Sequence, residues 1–290
     1  MTDAPSIYRS PEAQAAIHEL YDRARRGLPM RTESRTVSTR FGETHVLLAG
    51  PAEGPPLVVF GGGNVVGPLT LGWVAGLANT FRLIAPDTIG QPGLSAGTRV
   101  SGRDASLGEW ALDVLEGMQL DTVRAIGVSY GAGVLLRLAE LAPERITAAA
   151  LVVPSGLTGS PFGAMLRLAA GYGRYRLRPS RGAAASVTRL LSHAEPDPLM
   201  VESVELSFGG TQLETEMPRL ARPGDLSALR ARMLVAAAEH DPLFPPKRVL
   251  PAARALFDDV ETVLIQDSGH ILSRDAATRL APRLAAFFSR

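Results

Sequence analysis

The stretch RAIGVSYGAGVLL, running from Arg124 to Leu136, decides how this chain is read. Within it Gly127, Ser129 and Gly131 spell G-x-S-x-G. Glycine and serine are common turn residues, so the five letters alone arise often by chance and the flanks must carry the meaning. The apolar run VRAIGV before Ser129 reads as a buried strand, and GAGVLLRLAELA after it reads as a helix. Ser129 is therefore expected on a tight strand-to-helix turn, the context in which this motif presents a nucleophile. Gly127 and Gly131 stand where a side chain would collide with neighbouring backbone. The helix that follows aims its positive N-terminal end at the site, leaving the backbone N–H of Tyr130 to meet a developing oxyanion.

Working outward, the same rhythm recurs. PPLVVFGGGN carries a continuous apolar run from Leu57 to Phe60 that stops at three glycines. FRLIAPD ends in Asp87, ITAAALVVPS in Ser155, RMLVAAAEHD in Asp241 and VETVLIQDSGH in His270. Helical segments such as SLGEWALDVLEGMQL lie between them. Short apolar strands alternating with helices predict a doubly wound, mostly parallel sheet, whose functional groups collect at the carboxyl ends of strands. Upstream, SPEAQAAIHELYDRARR predicts an amphipathic helix with Ser10 as N-cap and Pro11 in its first turn. ESRTVSTRFGETHVLLAG then predicts a hairpin turning at Phe41 and Gly42 and ending at Gly50.

From about Gly156 to Arg230 the rhythm breaks. GAMLRLAAGYGRYRLRPSRGAAASVTRLL and DPLMVESVELSFGG look helical, with no strand-like run between them. The expected organisation is a core built from residues 1–155 and 231–290 with a helical cap inserted at 156–230, placed to cover the strand-end site. No internal repeat is visible.

A serine hydroxyl becomes a strong nucleophile when a histidine takes its proton, and that histidine needs a carboxylate to fix its tautomer and stabilise its charge. The order expected on such a scaffold is Ser, acid, His. Here it is Ser129, Asp241, His270, each at a predicted strand end. AEHD also offers Glu239, but Asp241 closes the strand, where the turn through Pro242 can aim it at the histidine. His18 and His45 precede the motif, in a helix and a strand, and His193 falls in the insertion; these three read as packed or solvated residues. Asp267 reads as a solvated loop acid, and Asp87 as a brace for its own turn.

With these residues in place the chain resembles the α/β-hydrolase fold serine hydrolases over nearly all its length apart from the insertion. APDTIGQPGLS is similar to that family's loop after the strand preceding the nucleophile strand. LVVFGGGN is similar to its oxyanion-hole loop, which implies Gly63 as a second N–H donor beside Tyr130. The N-terminal IYRSPEAQAAIHELYD and TRFGETHVLLAG resemble a bacterial carboxylesterase-like subgroup. One departure stands out: the family usually carries His-Gly before the oxyanion donor, where this chain has Gly61 and Gly62, so a less firmly propped loop is expected.

The resemblance implies hydrolysis of an ester, thioester or related acyl bond of a small molecule. Two other readings use the same residues: acyl transfer, cyclisation or C–C bond cleavage in a biosynthetic pathway, and capture of a small signal molecule with incidental turnover. Epoxide hydrolysis and dehalogenation are disfavoured, since enzymes of this fold that perform them carry Asp where Ser129 stands.

The remaining composition narrows the field. The 290 residues include no cysteine, which excludes disulfides, thiolate zinc sites and a cysteine nucleophile. No pair of the five histidines has a close ligand spacing, so no metal or cofactor is expected. The glycine run GGGNVVG fails as a nucleotide loop because Val66 takes the third glycine position. The single lysine, Lys247, lies beside Pro245 and Pro246, a poor setting for Schiff-base chemistry. A formal net charge of +1 gives no pull towards nucleic acid. MTDAPSIYRSPEAQ lacks the basic start and apolar run of a signal peptide, and no stretch approaches the ~20 apolar residues of a membrane span, so a cytoplasmic location is expected.

Overall fold

Ser10 opens the first helix as its sequence predicts. In the computed structural model, which describes residues 6–290, its hydroxyl accepts from the Ala13 N–H at 3.2 Å and Pro11 begins helix α1 (Pro11–Arg26). A proline costs nothing there because that N–H has no intrahelical partner. The first five residues of the N-terminal stretch lie outside the described residues.

The predicted hairpin forms as β1 (Thr32–Thr39) and β2 (Gly42–Ala49), paired antiparallel from Thr32 opposite Ala49 to Thr39 opposite Gly42. Gly42 begins β2 at φ 121°, a conformation that β-carbon sterics deny to most residues. The parallel strands follow: β3 (Pro56–Phe60), β4 (Arg82–Pro86), β5 (Val123–Val128), β6 (Ile146–Val152), β7 (Arg232–Ala238) and β8 (Val260–Ile265). The eight strands lie in the order β1-β2-β4-β3-β5-β6-β7-β8, antiparallel only at β1–β2 and β2–β4.

Helices cover both faces of the sheet. α1, the short α2 (Gly67–Leu71) with the 3-10 turns after it, and α9 (Arg274–Phe288) pack on one side around Leu57, Val59, Phe81 and Phe288. α3 (Ser106–Gly117), α4 (Tyr130–Leu141) and α8 (Pro246–Leu256) pack on the other around Phe60, Trp110 and Leu135. Burial on both faces explains why β3 to β7 read as mostly continuous apolar runs rather than alternating ones, with Arg124 and Thr147 near the less buried starts of β5 and β6. Trp110, wholly buried, keeps its indole N–H satisfied by the Thr44 hydroxyl at 2.9 Å.

Between β6 and β7 lie three helices: α5 (Phe162–Leu177), α6 (Arg181–Leu191) and α7 (Pro198–Gly210). The helical reading of this region needs one correction. After α7 the chain forms neither helix nor strand from Gln212 to Arg222, with one 3-10 turn at Pro223–Leu226. This return segment is pinned to the core. Arg219 N–H donates to the Gly102 carbonyl (2.9 Å), Ala221 N–H donates to that of Gly156 (2.8 Å), and the Arg219 guanidinium bridges Glu140 and Asp225 (2.7 Å each). Glu140 also pairs with the buried Arg137; burial raises the pKa of the carboxyl and lowers that of the guanidinium, and their mutual attraction opposes both shifts. No helix among the described residues is long and apolar enough to cross a membrane.

Candidate active site

β5, β7 and β8 run parallel, so the turns at their carboxyl ends open on one edge of the sheet. Ser129, Asp241 and His270 occupy those turns, and the structure brings all three together. Ser129 Oγ lies 2.8 Å from His270 Nε2, and His270 Nδ1 lies 2.8 Å from Asp241 Oδ2. A carboxylate can only accept, so Nδ1 carries the imidazole proton and Nε2 is left to accept the serine hydroxyl. The second carboxylate oxygen of Asp241 accepts from the N–H groups of Leu243 (2.8 Å) and Phe244 (3.0 Å), which fixes the acid in place without solvent.

Ser129 sits at φ 50°, ψ −113°, the strained geometry expected of the turn. The surroundings hold it there. Its N–H donates to the Val152 carbonyl at 2.9 Å, and its carbonyl accepts from Ala132 N–H (3.0 Å), Ser155 N–H (3.2 Å) and the Ser155 hydroxyl (2.9 Å). The two flanking glycines are required by close approach: a β-carbon at Gly131 would lie 2.2 Å from the Phe60 carbonyl oxygen, and one at Gly127 would lie 2.5 Å from Ala132 Cα. Because backbone lies on each contact, neither clash relaxes by a rotamer change. Gly131→Ala is expected to cost about 3 kcal/mol, the upper end for overpacking, read as a lower urea midpoint at unchanged slope. An unchanged midpoint would show that the turn is not tight.

Tyr130 opens α4, so its N–H precedes the helix's own hydrogen-bond ladder. Facing it is the 61–66 loop. The Gly62 N–H points to the Thr70 hydroxyl (3.4 Å) and the Asn64 N–H donates to Gln91 Oε1 (2.8 Å), while the Gly63 N–H between them has no partner among the described residues. A β-carbon at Gly63 would lie 3.1 Å from Tyr130 Cβ, a tight contact that glycine avoids.

The expected looseness of this loop is answered by other props. Thr70 Oγ1 fills the place into which a side chain at Gly61 would project, 3.0 Å from its β-carbon. Asn64, at φ 57°, exchanges two hydrogen bonds with the Glu214 backbone, both 2.8 Å, and Val66 N–H donates to Ser203 Oγ on α7 at 3.1 Å. Sequence reasoning gave no role to Gln91, Thr70, Asn64 or Glu214, since each acts through a partner distant in the chain.

The other singled-out residues lie elsewhere. Asp87 accepts from Leu94 N–H (3.1 Å), in keeping with a brace for its loop. It also receives the Tyr21 hydroxyl (3.1 Å) and faces His45 Nδ1 (3.2 Å), which ties α1 and β2 to that loop. Burial, and then the Asp87 charge, push the Tyr21 phenol well above its ordinary pKa, so it stays a donor. Glu239 is exposed and accepts the Asp267 N–H at 3.0 Å. His193 is exposed and stacked on His240.

Residues 55–194 match the family described as alpha/beta hydrolase fold. Superposition on the crystal structure of naproxen esterase (carboxylesterase NP) from Bacillus subtilis gives a TM-score of 0.83 at 24% identity, covering 97% of this chain and 99% of that one. The chain has the α/β-hydrolase fold. Two sequence relatives of this α/β-hydrolase-fold protein come from Bacillus subtilis (strain 168). One, the uncharacterized carboxylesterase nap, is 27% identical over 273 residues, covering 90% of this chain and 88% of the relative. The other, carboxylesterase YbfK, is 24% identical over 288 residues, covering 97% and 96%.

Proposed function

We propose that this α/β-hydrolase is a serine carboxylesterase acting on small-molecule esters through an acyl-enzyme. The carrying observation is the unbroken relay from Ser129 Oγ through His270 to the buried carboxylate of Asp241, each link 2.8 Å long. The carboxylesterase relatives support the choice of ester over other acyl substrates.

In this reading His270 Nε2 takes the hydroxyl proton as Ser129 Oγ bonds to the ester carbonyl carbon. The resulting oxyanion is held by the N–H groups of Gly63 and Tyr130. Collapse of the tetrahedral adduct breaks the C–O bond, and the departing alkoxide takes the proton back from His270. Water then repeats the sequence against the acyl-enzyme, releasing the carboxylic acid and free Ser129. Asp241 holds the ring orientation throughout and stabilises the transient imidazolium.

The inserted residues 156–230 are assigned as a cap that selects the acyl group. Supporting this, Val65 of the 61–66 loop packs on the cap cluster of Tyr175, Ala183, Ala184 and Val204, beside Phe208, whose ring lies 5.0 Å from Tyr172 and 5.4 Å from Tyr175. A panel of p-nitrophenyl esters of increasing chain length, run beside fluorophosphonate labelling with peptide mapping, tests both assignments. Label on Ser129 with steady turnover is expected, and Phe208→Ala should flatten the chain-length preference while labelling persists. Label elsewhere, or none, overturns the mechanism; an unchanged preference overturns the cap's role.

A further inference from the structure

His193, His240 and Asp267 are far apart in sequence, yet their ligand atoms all lie within 4.8 Å of one another. They come from three elements: the linker after α6, the turn after β7 and the turn after β8. We propose that they form a binding site for a late first-row divalent cation, with Zn²⁺ as the type. The proposal is independent of the esterase reading and departs from the expectation of no metal, which rested on spacing along the chain.

Their backbones are already fixed relative to one another. His240 N–H donates to the Ser268 carbonyl (2.8 Å), which locks the β7 turn to the β8 turn. Asp267, at φ 51°, donates its own N–H to Glu239 Oε2 (3.0 Å). Ile271 N–H donates to the Leu191 carbonyl (2.9 Å), which brings the end of α6 against the β8 turn. Contact there is close enough that a β-carbon on Gly269 would lie 2.7 Å from the His193 nitrogen. The side chains themselves are exposed, and the two imidazoles stack with centroids 4.0 Å apart and planes 16° from parallel; each nitrogen lone pair lies in its ring plane, so the rings must tilt out of this stack to meet at one ion, which their exposure permits.

The donor set selects the ion. Two imidazoles and one carboxylate suit zinc and its neighbours, whereas calcium and magnesium prefer oxygen alone. Bonds of about 2.0–2.2 Å in a tetrahedron place ligand atoms roughly 3.3–3.5 Å apart, within reach of small torsions in exposed side chains. Glu239 Oε2, 3.7 Å from His240 Nε2, lies beside these three ligands without joining them and can accept from a water on the ion. An ion here would staple the α6–α7 linker to the turns that carry Asp241 and His270. His240 is the neighbour of Asp241, and Asp267 shares the β8 turn with His270.

Titration calorimetry of the metal-free full chain with ZnCl₂ tests the site. One saturable Zn²⁺ is expected. His193→Ala and Asp267→Asn should each weaken it by at least the ~10–100-fold that follows loss of an outer-shell partner. Zn²⁺ should raise the Tm of the wild type and of Ser129→Ala but not of His193→Ala, and Ca²⁺ should raise none. Because the three side chains are exposed, the variants should match the wild type in Tm without metal, which separates lost binding from lost folding. Absence of saturable binding to the wild type, or binding kept by both variants, would overturn the site.

Discussion

Ser129→Ala is expected to lower turnover of a p-nitrophenyl ester by about 10⁶-fold, close to the loss on removing a serine nucleophile from a triad elsewhere. The size follows from what remains. In the proposed mechanism His270 and Asp241 then have nothing to activate, and only the proposed oxyanion donors and binding are left to assist water. The substitution adds no atom to a turn already held by four backbone and side-chain hydrogen bonds at residue 129, so Tm should change little. Purified variant and wild type, compared by initial rates and thermal unfolding, decide it. A variant that keeps more than a hundredth of the activity while losing the fluorophosphonate label would mean that water attacks by another route.

Asp241→Asn is expected to lower kcat by about 10⁴-fold, and Glu239→Gln to leave it within a few-fold of wild type. An amide at 241 can present its NH₂ to His270 Nδ1, which drives the imidazole proton onto Nε2, and there it blocks acceptance from Ser129. Glu239 has no such connection. Its N–H still runs along β8, donating to the Ile265 carbonyl (3.0 Å), and its carboxylate serves the Asp267 N–H in solvent. Matched rates for the two variants would show that the acid is misassigned.

Much of this protein could be read from sequence, because local chemistry decides it. Strands buried on both faces must be apolar over their buried length, so β3 to β7 announce themselves, and a turn that passes backbone against the Phe60 carbonyl admits only glycine at 131. The order Ser129, Asp241, His270 places one group at each of three strand ends, and parallel strands put those ends on one edge.

What the sequence left open turns on direction and on distant partners. Glu239 and Asp241 are both acids near the end of one strand; only the turn after Ala238, with the Leu243 and Phe244 N–H groups drawing one carboxylate oxygen, points residue 241 inward and leaves 239 in water. The missing histidine before Gly62 predicted a loose loop, but Gln91, Thr70 and Glu214 prop it from segments that no local pattern links to it. Residues 211–222 carry no strand or helix signal because their hydrogen bonds go to Ile7, Asn64, Gly102 and Gly156, not to a regular ladder. His193, His240 and Asp267 look solitary in a one-dimensional reading for the same reason. Periodicity reports which face of an element is buried, whereas convergence of side chains from different elements depends on how loops aim them, and that is settled only when the sheet and its covering helices have packed.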